Sequence, residues 1–67
     1  MQITLKAARV NAGLKIGEAS ELLGLKTEDT LRNWECGKTF PNVPQIKMIE
    51  NLYGVEYRDI KWELTDL

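Results

Sequence analysis

The sequence of 67 residues contains no histidine and a single cysteine, Cys36. The chain therefore lacks the commonest general base, and it has neither the ligands for a zinc site nor the partner for an internal disulfide. A lone cysteine is typical of a reducing compartment, so we expect a cytoplasmic protein. A chain of this length also has too small a core for the enclosed pocket that most enzymes need. We expect no enzyme, no catalytic residues, no metal, no cofactor and no small-molecule substrate.

Long apolar runs and an excess of basic residues are also missing. No stretch approaches the ~20 apolar residues of a membrane span, so no membrane partner is expected. Nine Lys and Arg against ten Asp and Glu give a net charge of −1, which argues mildly against a nonspecific nucleic-acid binder. Residues 1–38 hold six bases and five acids, whereas residues 39–67 hold three bases and five acids. Any nucleic-acid surface must therefore be a local patch in the N-terminal half.

Short helical segments, separated by glycine or proline, are the main pattern. Apolar spacing predicts five of them: from Thr4 to Gly13, about Ile16 to Leu23, Thr27 to Gly37, Asn42 to Gly54, and about Tyr57 to Leu64. Thr4, Thr27 and Asn42 are good N-caps, and Asn42 with Gln45 imitates a capping box. No segment shows convincing strand alternation. The sequence predicts an all-α, compact five-helix bundle that forms a single domain over residues 1–67.

Residues 16–36 are predicted to form a helix, a glycine-containing turn and a second helix, which is the general arrangement of a helix-turn-helix. More specific residues surround this unit. They are Gly13-Leu14, Leu23-Gly24-Leu25, Leu31-x-x-Trp34-Glu35-x-Gly37-Lys38-x-x-Pro41 and Tyr53-Gly54-Val55. With these residues, the chain resembles the helix-turn-helix domains of phage repressors of the lambda CI and Cro type over about residues 3–62.

The resemblance implies that the third helix enters the major groove of double-stranded DNA and that a two-fold dimer binds a near-palindromic operator. The chain would then be a phage or prophage transcriptional regulator that blocks transcription by occupying its operator. The tail from Trp62 to Leu67 is too short for an independent oligomerisation domain, so we expect a weak homodimer. Trp62 and Leu67 either cap the core or form part of the dimer surface.

The side of the third helix opposite Leu31 and Trp34 is expected to face DNA, with Trp34 itself in the core. The candidate base contacts are Glu28, Asp29, Thr30 and Asn33. The candidate phosphate contacts are Lys15, Arg32, Lys38 and Thr39. Asn33 suits adenine N6 and N7, whereas Arg32 can reach a guanine or, as we favour, a phosphate.

Two further roles follow from the resemblance and from residue type. In this family an arginine at the position of Arg9 pairs with the glutamate corresponding to Glu35, so we expect a structural ion pair rather than a DNA contact. Lys38 and Thr39 stand where the family holds the DNA backbone with a Gly-Lys turn. Cys36 is expected to be an inert thiol rather than a redox switch.

The chain departs from the family at the helix-turn-helix itself. Nine residues separate Gly24 from Trp34 where the usual pattern has eight, so one residue is inserted near Lys26-Thr27. Ile16-Gly17 replaces the Gln-Glu-like pair that starts the second helix and clamps backbone and base. That contact is therefore expected to be lost.

Two carboxylates, Glu28 and Asp29, stand at the start of the expected recognition helix. Facing phosphates, they would lower DNA affinity unless they accept from cytosine N4 or bind a counter-charge. They favour an alternative function: a protein-interaction module on the same scaffold, the partner of another regulator, with weak or no DNA binding.

Overall fold

A computed structural model describes residues 2–62 of the chain. The four α-helices are α1 (Leu5–Asn11), α2 (Ile16–Leu22), α3 (Glu28–Cys36) and α4 (Val43–Tyr53). A 3₁₀ turn at Tyr57–Asp59 follows, and two short strands, β1 (Ile3–Thr4) and β2 (Ile60–Lys61), form a parallel two-stranded sheet in which Ile3 pairs with Ile60. The described residues are thus mostly helical, with a small sheet that joins the beginning and the end of the described segment.

The expectation of a fifth helix from Tyr57 to Leu64 is wrong for the described part of that segment. The backbone N–H of Asp59 donates to the carbonyl of Glu56 at 2.9 Å and closes a single 3₁₀ turn, after which the chain is extended. Ile60 then enters the core, where it is 2% exposed. A short isolated helix is marginal, whereas the β-branched Ile60 gains both burial and pairing with β1. Leu64 lies outside the described residues.

The helix ends follow the capping residues of the sequence. The Thr4 hydroxyl accepts a 3.0 Å hydrogen bond from the backbone three residues later, and Asn42 and Gln45 exchange two hydrogen bonds of 2.9 Å in a capping box. These two caps are confirmed. Thr27 is the N-cap of α3 by its extended backbone, but the structure shows no capping hydrogen bond from its side chain. Gly37 ends α3 with a positive φ of 83°, a conformation that favours glycine.

The core lies between the four helices and β2. Its buried apolar side chains are Leu5, Ala8, Ala19, Leu23, Leu31, Trp34, Ile49, Tyr53 and Ile60. Leu31 and Ile49 are fully buried, and burial of each such side chain contributes roughly 1.5–3 kcal/mol. Trp34 is also in this core, as expected, so it cannot act as a stacking platform for a base. Because α3 turns Leu31 and Trp34 inward, its opposite side faces solvent.

One core residue, Tyr53, carries a polar atom that makes no hydrogen bond within the core. The Tyr53 hydroxyl is buried without a hydrogen-bond partner among residues 2–62. Burial and, second, the nearby Glu35 carboxylate raise the pKa of Tyr53 from 10.0 to about 12, while Arg9 acts in the opposite direction. The folded state therefore holds this proton more tightly than the unfolded state does.

We expect Tyr53→Phe to unfold at the same or slightly higher urea concentration than the wild type at neutral pH, since it removes an unsatisfied hydroxyl. Because the folded-state pKa is raised, the stability linked to Tyr53 is fully present below pH 10 and is lost as pH rises towards about 12. The variant should lose less stability than the wild type over that interval. Urea titrations of both proteins at several pH values measure the difference, and parallel losses would contradict the assignment.

Candidate nucleic-acid interface

The turn between α2 and α3 sets the orientation of α3 relative to α2. Gly24 adopts a positive φ of 72°, and the backbone N–H of Leu25 donates to the carbonyl of Ser20 at 2.9 Å, which reverses the chain after α2. The small side chains Ala19 and Ser20 are buried, so the helices can approach closely there. α2 and α3 therefore pack as one helix-turn-helix unit over the predicted residues 16–36.

The outer side of α3 is polar. It carries the four exposed residues Glu28, Asp29, Arg32 and Cys36, with Thr30 and Asn33 half-buried at its edge. The Asp29 side chain is 80% exposed. The structure thus brings the four candidate base contacts onto a single helix, two of them pointing outward and two at its flank.

Arg32, a candidate phosphate contact, forms ion pairs with two residues of its own helix. Its two amino groups donate to Glu28 Oε1 at 2.9 Å and to Asp29 Oδ1 at 3.2 Å. These ion pairs are exposed, so each stabilises the helix by only a few tenths of a kcal/mol. Their main effect is electrostatic, because one guanidinium offsets part of the charge of two carboxylates at the start of α3.

Backbone hydrogen bonds to the carbonyls of Asn33 and Trp34 hold the turn that follows α3. The Asn33 carbonyl accepts hydrogen bonds from the backbone N–H groups of Lys38 at 2.9 Å and Thr39 at 3.4 Å. Both residues are exposed, so the Lys38 ammonium and the Thr39 hydroxyl stand at the C-terminal end of the polar side of α3. This turn can present the Lys38 ammonium and the Thr39 hydroxyl to a phosphate, whereas both backbone N–H groups are already used within the turn.

Lys15, the remaining candidate phosphate contact, is the exposed N-cap of α2. Its backbone N–H donates to Glu18 Oε1 at 3.0 Å, and the carboxylate of Glu18 therefore lies at the helix start. The backbone N–H of Lys15 itself is therefore already paired and cannot also bind a phosphate. The contribution that Lys15 can make comes from its ammonium group.

Arg9 and Glu35 form an ion pair that ties α1 to α3. Arg9 Nε lies 2.7 Å from Glu35 Oε2, and both side chains are only 9% exposed. A second amino group of Arg9 donates to the carbonyl of Leu14 at 2.9 Å. The pair fixes α3 on the body of the domain from its inner side, and its burial leaves Arg9 no access to DNA.

Sequence analysis missed an aromatic surface formed by the exposed Phe40 and Tyr57 and by the half-buried Trp62, which also packs against the core. The ring centroids of Phe40 and Trp62 lie 4.6 Å apart, and those of Tyr57 and Trp62 lie 5.7 Å apart. An apolar groove of about 630 Å³ runs beside it, between Phe40, Val43, Ile46 and Tyr57. The only available signal was an apolar residue, Phe40, in an otherwise polar loop. Trp62 belongs to this surface, and Leu67 lies outside the described residues.

The part of the chain that the structure describes contains neither a metal-binding cluster nor a membrane-spanning helix. Between Gln2 and Trp62, no three side chains of His, Cys, Asp or Glu stand close enough to hold a metal ion together. None of the helices in this range has the length and apolar character needed to cross a membrane.

The comparison with protein families gives one match. A family model described as helix-turn-helix covers residues 5–60, which is most of the chain. No curated protein and no solved structure matches the sequence. The matched segment runs from the start of α1 to Ile60 and so includes both helices of the helix-turn-helix unit.

Proposed function

The chain belongs to the helix-turn-helix family of the Cro and CI type, a family of DNA-binding transcription regulators, and from that premise we propose that it is a phage or prophage regulator that occupies an operator. α3 is the recognition helix and lies in the major groove. The regulator blocks transcription by steric occupation of the operator and needs no cofactor. It acts in the cytoplasm, where its DNA is.

The observation that carries this proposal is the polar outer side of α3. Leu31 and Trp34 anchor the inner side of the helix in the core, and the buried Arg9–Glu35 pair fixes its angle. The outer side is left to solvent over about two turns, and the major groove is wide enough to admit an α-helix. A helix held rigidly in this way loses little conformational freedom when it binds.

The candidate contacts fall into two groups, those that contact bases and those that contact phosphates. Asn33 and Thr30, at the flank of α3, face base edges: the amide of Asn33 pairs with adenine, and Thr30 contacts a base edge or a thymine methyl. Lys38, Thr39 and Lys15 contact phosphates on both sides of the groove and set the register. These three side chains supply about three phosphate contacts per copy, or about six in a dimer.

A second copy completes the operator complex. Dimers of this type read half-sites roughly 34 Å apart, and one copy measures 30 × 25 × 20 Å, so two copies bound to one face of DNA lie side by side. We assign the contact between the two copies to the aromatic surface, which lies close to α3 in the chain because Phe40 is four residues after the last residue of that helix. Because few side chains form this surface, the interface between the two copies buries little area. The dimer is therefore weak in free solution and forms mainly on DNA.

The competing function, a protein-interaction module, is favoured by a specific observation. Glu28 and Asp29 occupy Arg32 on the helix that would face phosphates. With Arg32 neutralised, the outer side of α3 is acidic, and an acidic helix suits a basic partner protein better than DNA.

Fluorescence anisotropy with a labelled random-sequence duplex separates the two functions. We expect binding at about 20 mM salt that weakens steeply towards about 200 mM, since each phosphate contact adds about 0.9 to the slope of log K against log salt. Sedimentation of the free protein and of the complex counts the copies bound. Absence of binding at about 20 mM salt would reject the regulator and support the interaction module.

A further inference from the structure

Two unusual features of the helix-turn-helix meet in space: Gly17, at the start of α2, and Glu28, at the acidic start of α3. A Cβ atom at Gly17 on α2 would lie 2.9 Å from Glu28 Oε2 on α3. Gly17 is not among the glycines with positive φ, so its backbone conformation does not require glycine. Glycine inside a helix is also less favourable than alanine. The absence of a side chain at position 17 is therefore best explained by the carboxylate that occupies its place.

The Glu28 carboxylate connects this gap to Arg32. One of its oxygens lies against Gly17, and the other accepts a 2.9 Å hydrogen bond from Arg32. Asp29 holds the other amino group of Arg32 at 3.2 Å. Two of the five N–H donors of the guanidinium are used in these bonds, so donors remain for a ligand at the exposed side of the group.

We propose that Gly17, Glu28 and Asp29 are positioning residues that hold Arg32 as the reader of a guanine base; the inference rests on the proposed DNA binding. A phosphate at Arg32 would bring a full negative charge beside two carboxylates. Guanine O6 and N7 are uncharged acceptors that a guanidinium contacts with two parallel hydrogen bonds. The two exposed ion pairs also bias the guanidinium towards one orientation, which lowers the freedom that it loses when it binds.

This assignment changes the roles of three candidate contacts. Arg32 moves from phosphate contact to base contact, whereas Glu28 and Asp29 support it instead of touching bases themselves. It also gives the acidic start of α3 a function within DNA recognition. The carboxylates lower affinity for the DNA backbone in general and so raise the contrast between specific and random sequence.

Selection of bound sequences from a duplex library with a randomised centre tests the proposal. We expect wild-type sites to share a guanine in each half, with a preference over other bases of about 5- to 150-fold. Arg32→Ala should lose this preference, and its affinity for random duplex should fall much less than its affinity for selected sites. Glu28→Gln should weaken the preference for guanine several-fold and strengthen binding to random duplex, because a negative charge is removed.

Gly17→Ala provides the steric version of the same test. The new methyl group meets only the end of a flexible side chain, so the fold is kept and the Glu28 carboxylate is displaced. We expect the guanine preference to fall although no charge changes. Glu56→Gln is the matched control, since Glu56 binds Arg58 at 2.7 Å in an exposed pair outside the helix-turn-helix. This control should keep the preference.

Two results would overturn the inference while leaving the proposed function intact. One is a guanine preference that survives both Glu28→Gln and Gly17→Ala. The other is an Arg32→Ala variant that loses equal affinity for selected and random duplexes, as a phosphate contact would. A wild-type protein that binds no duplex at low salt, in contrast, rejects the proposed function itself together with this inference.

Discussion

Arg9→Ala is expected to lower the free energy of unfolding by about 3–5 kcal/mol, the cost of removing one partner from a buried ion pair. Arg9 donates to Glu35 at 2.7 Å and to the Leu14 carbonyl at 2.9 Å, and both charged side chains are 9% exposed. The substitution leaves the Glu35 carboxylate buried without its counter-charge. Because domains of this size have a total stability of only about 3–5 kcal/mol, the variant should be largely unfolded at room temperature.

The chain contains a matched control for this prediction. Arg58 also binds a glutamate, Glu56, at 2.7 Å, but the two side chains are 82% and 62% exposed. Arg58→Ala should therefore change stability by less than about 1 kcal/mol. Urea and thermal unfolding followed by circular dichroism measure both variants. Equal effects of the two substitutions would show that burial does not determine the role of the Arg9–Glu35 pair.

A double substitution separates the cost of an unpaired charge from the value of the pair. Replacing both partners with apolar side chains, Arg9→Met together with Glu35→Met, removes the buried charges at the same time. Such replacements are often neutral or stabilising. We expect the double variant to be more stable than Arg9→Ala alone, and a further loss of stability would mean that the pair is itself strongly favourable.

The features that the sequence predicted well depend on neighbouring residues. Thr4, Asn42 and Gln45 act on backbone groups within three positions, so the caps of α1 and α4 can be recognised locally. The inward side of α3 follows from the helical spacing of Leu31 and Trp34. The same spacing places the candidate contacts on the opposite side, which explains why the polar side of α3 could be predicted from the sequence.

The features that it missed depend on residues from distant parts of the chain. Ile3 and Ile60 pair across almost the whole sequence, and strands of two residues are too short for alternation to show. The aromatic surface likewise joins Phe40 to Tyr57 and Trp62. The contact between Gly17 and Glu28 depends on how α2 and α3 are set against each other. The sequence contains each of these residues, but it does not show which of them contact one another in the fold.

Asn33→Ala is expected to weaken binding to a selected operator by about 1–3 kcal/mol, or about 5- to 150-fold, with almost no effect on random duplex. The side chain of Asn33 lies at the edge of the polar side of α3, where its amide can contact adenine N6 and N7. The backbone carbonyl of Asn33, and not its side chain, holds the turn at Lys38 and Thr39. The substitution should therefore leave the fold and the phosphate contacts in place.

Two further variants serve as controls for this prediction. All three variants are titrated with selected and with random duplexes. Asn51→Ala removes an exposed asparagine from α4 and should change neither affinity. Lys38→Ala should weaken binding to both duplexes alike and reduce the salt slope by about one unit, as expected for a lost phosphate contact. Equal losses for Asn33→Ala on the two duplexes would instead group Asn33 with Lys38. Sequence recognition would then have to come from the other residues of α3, with Arg32 the first among them.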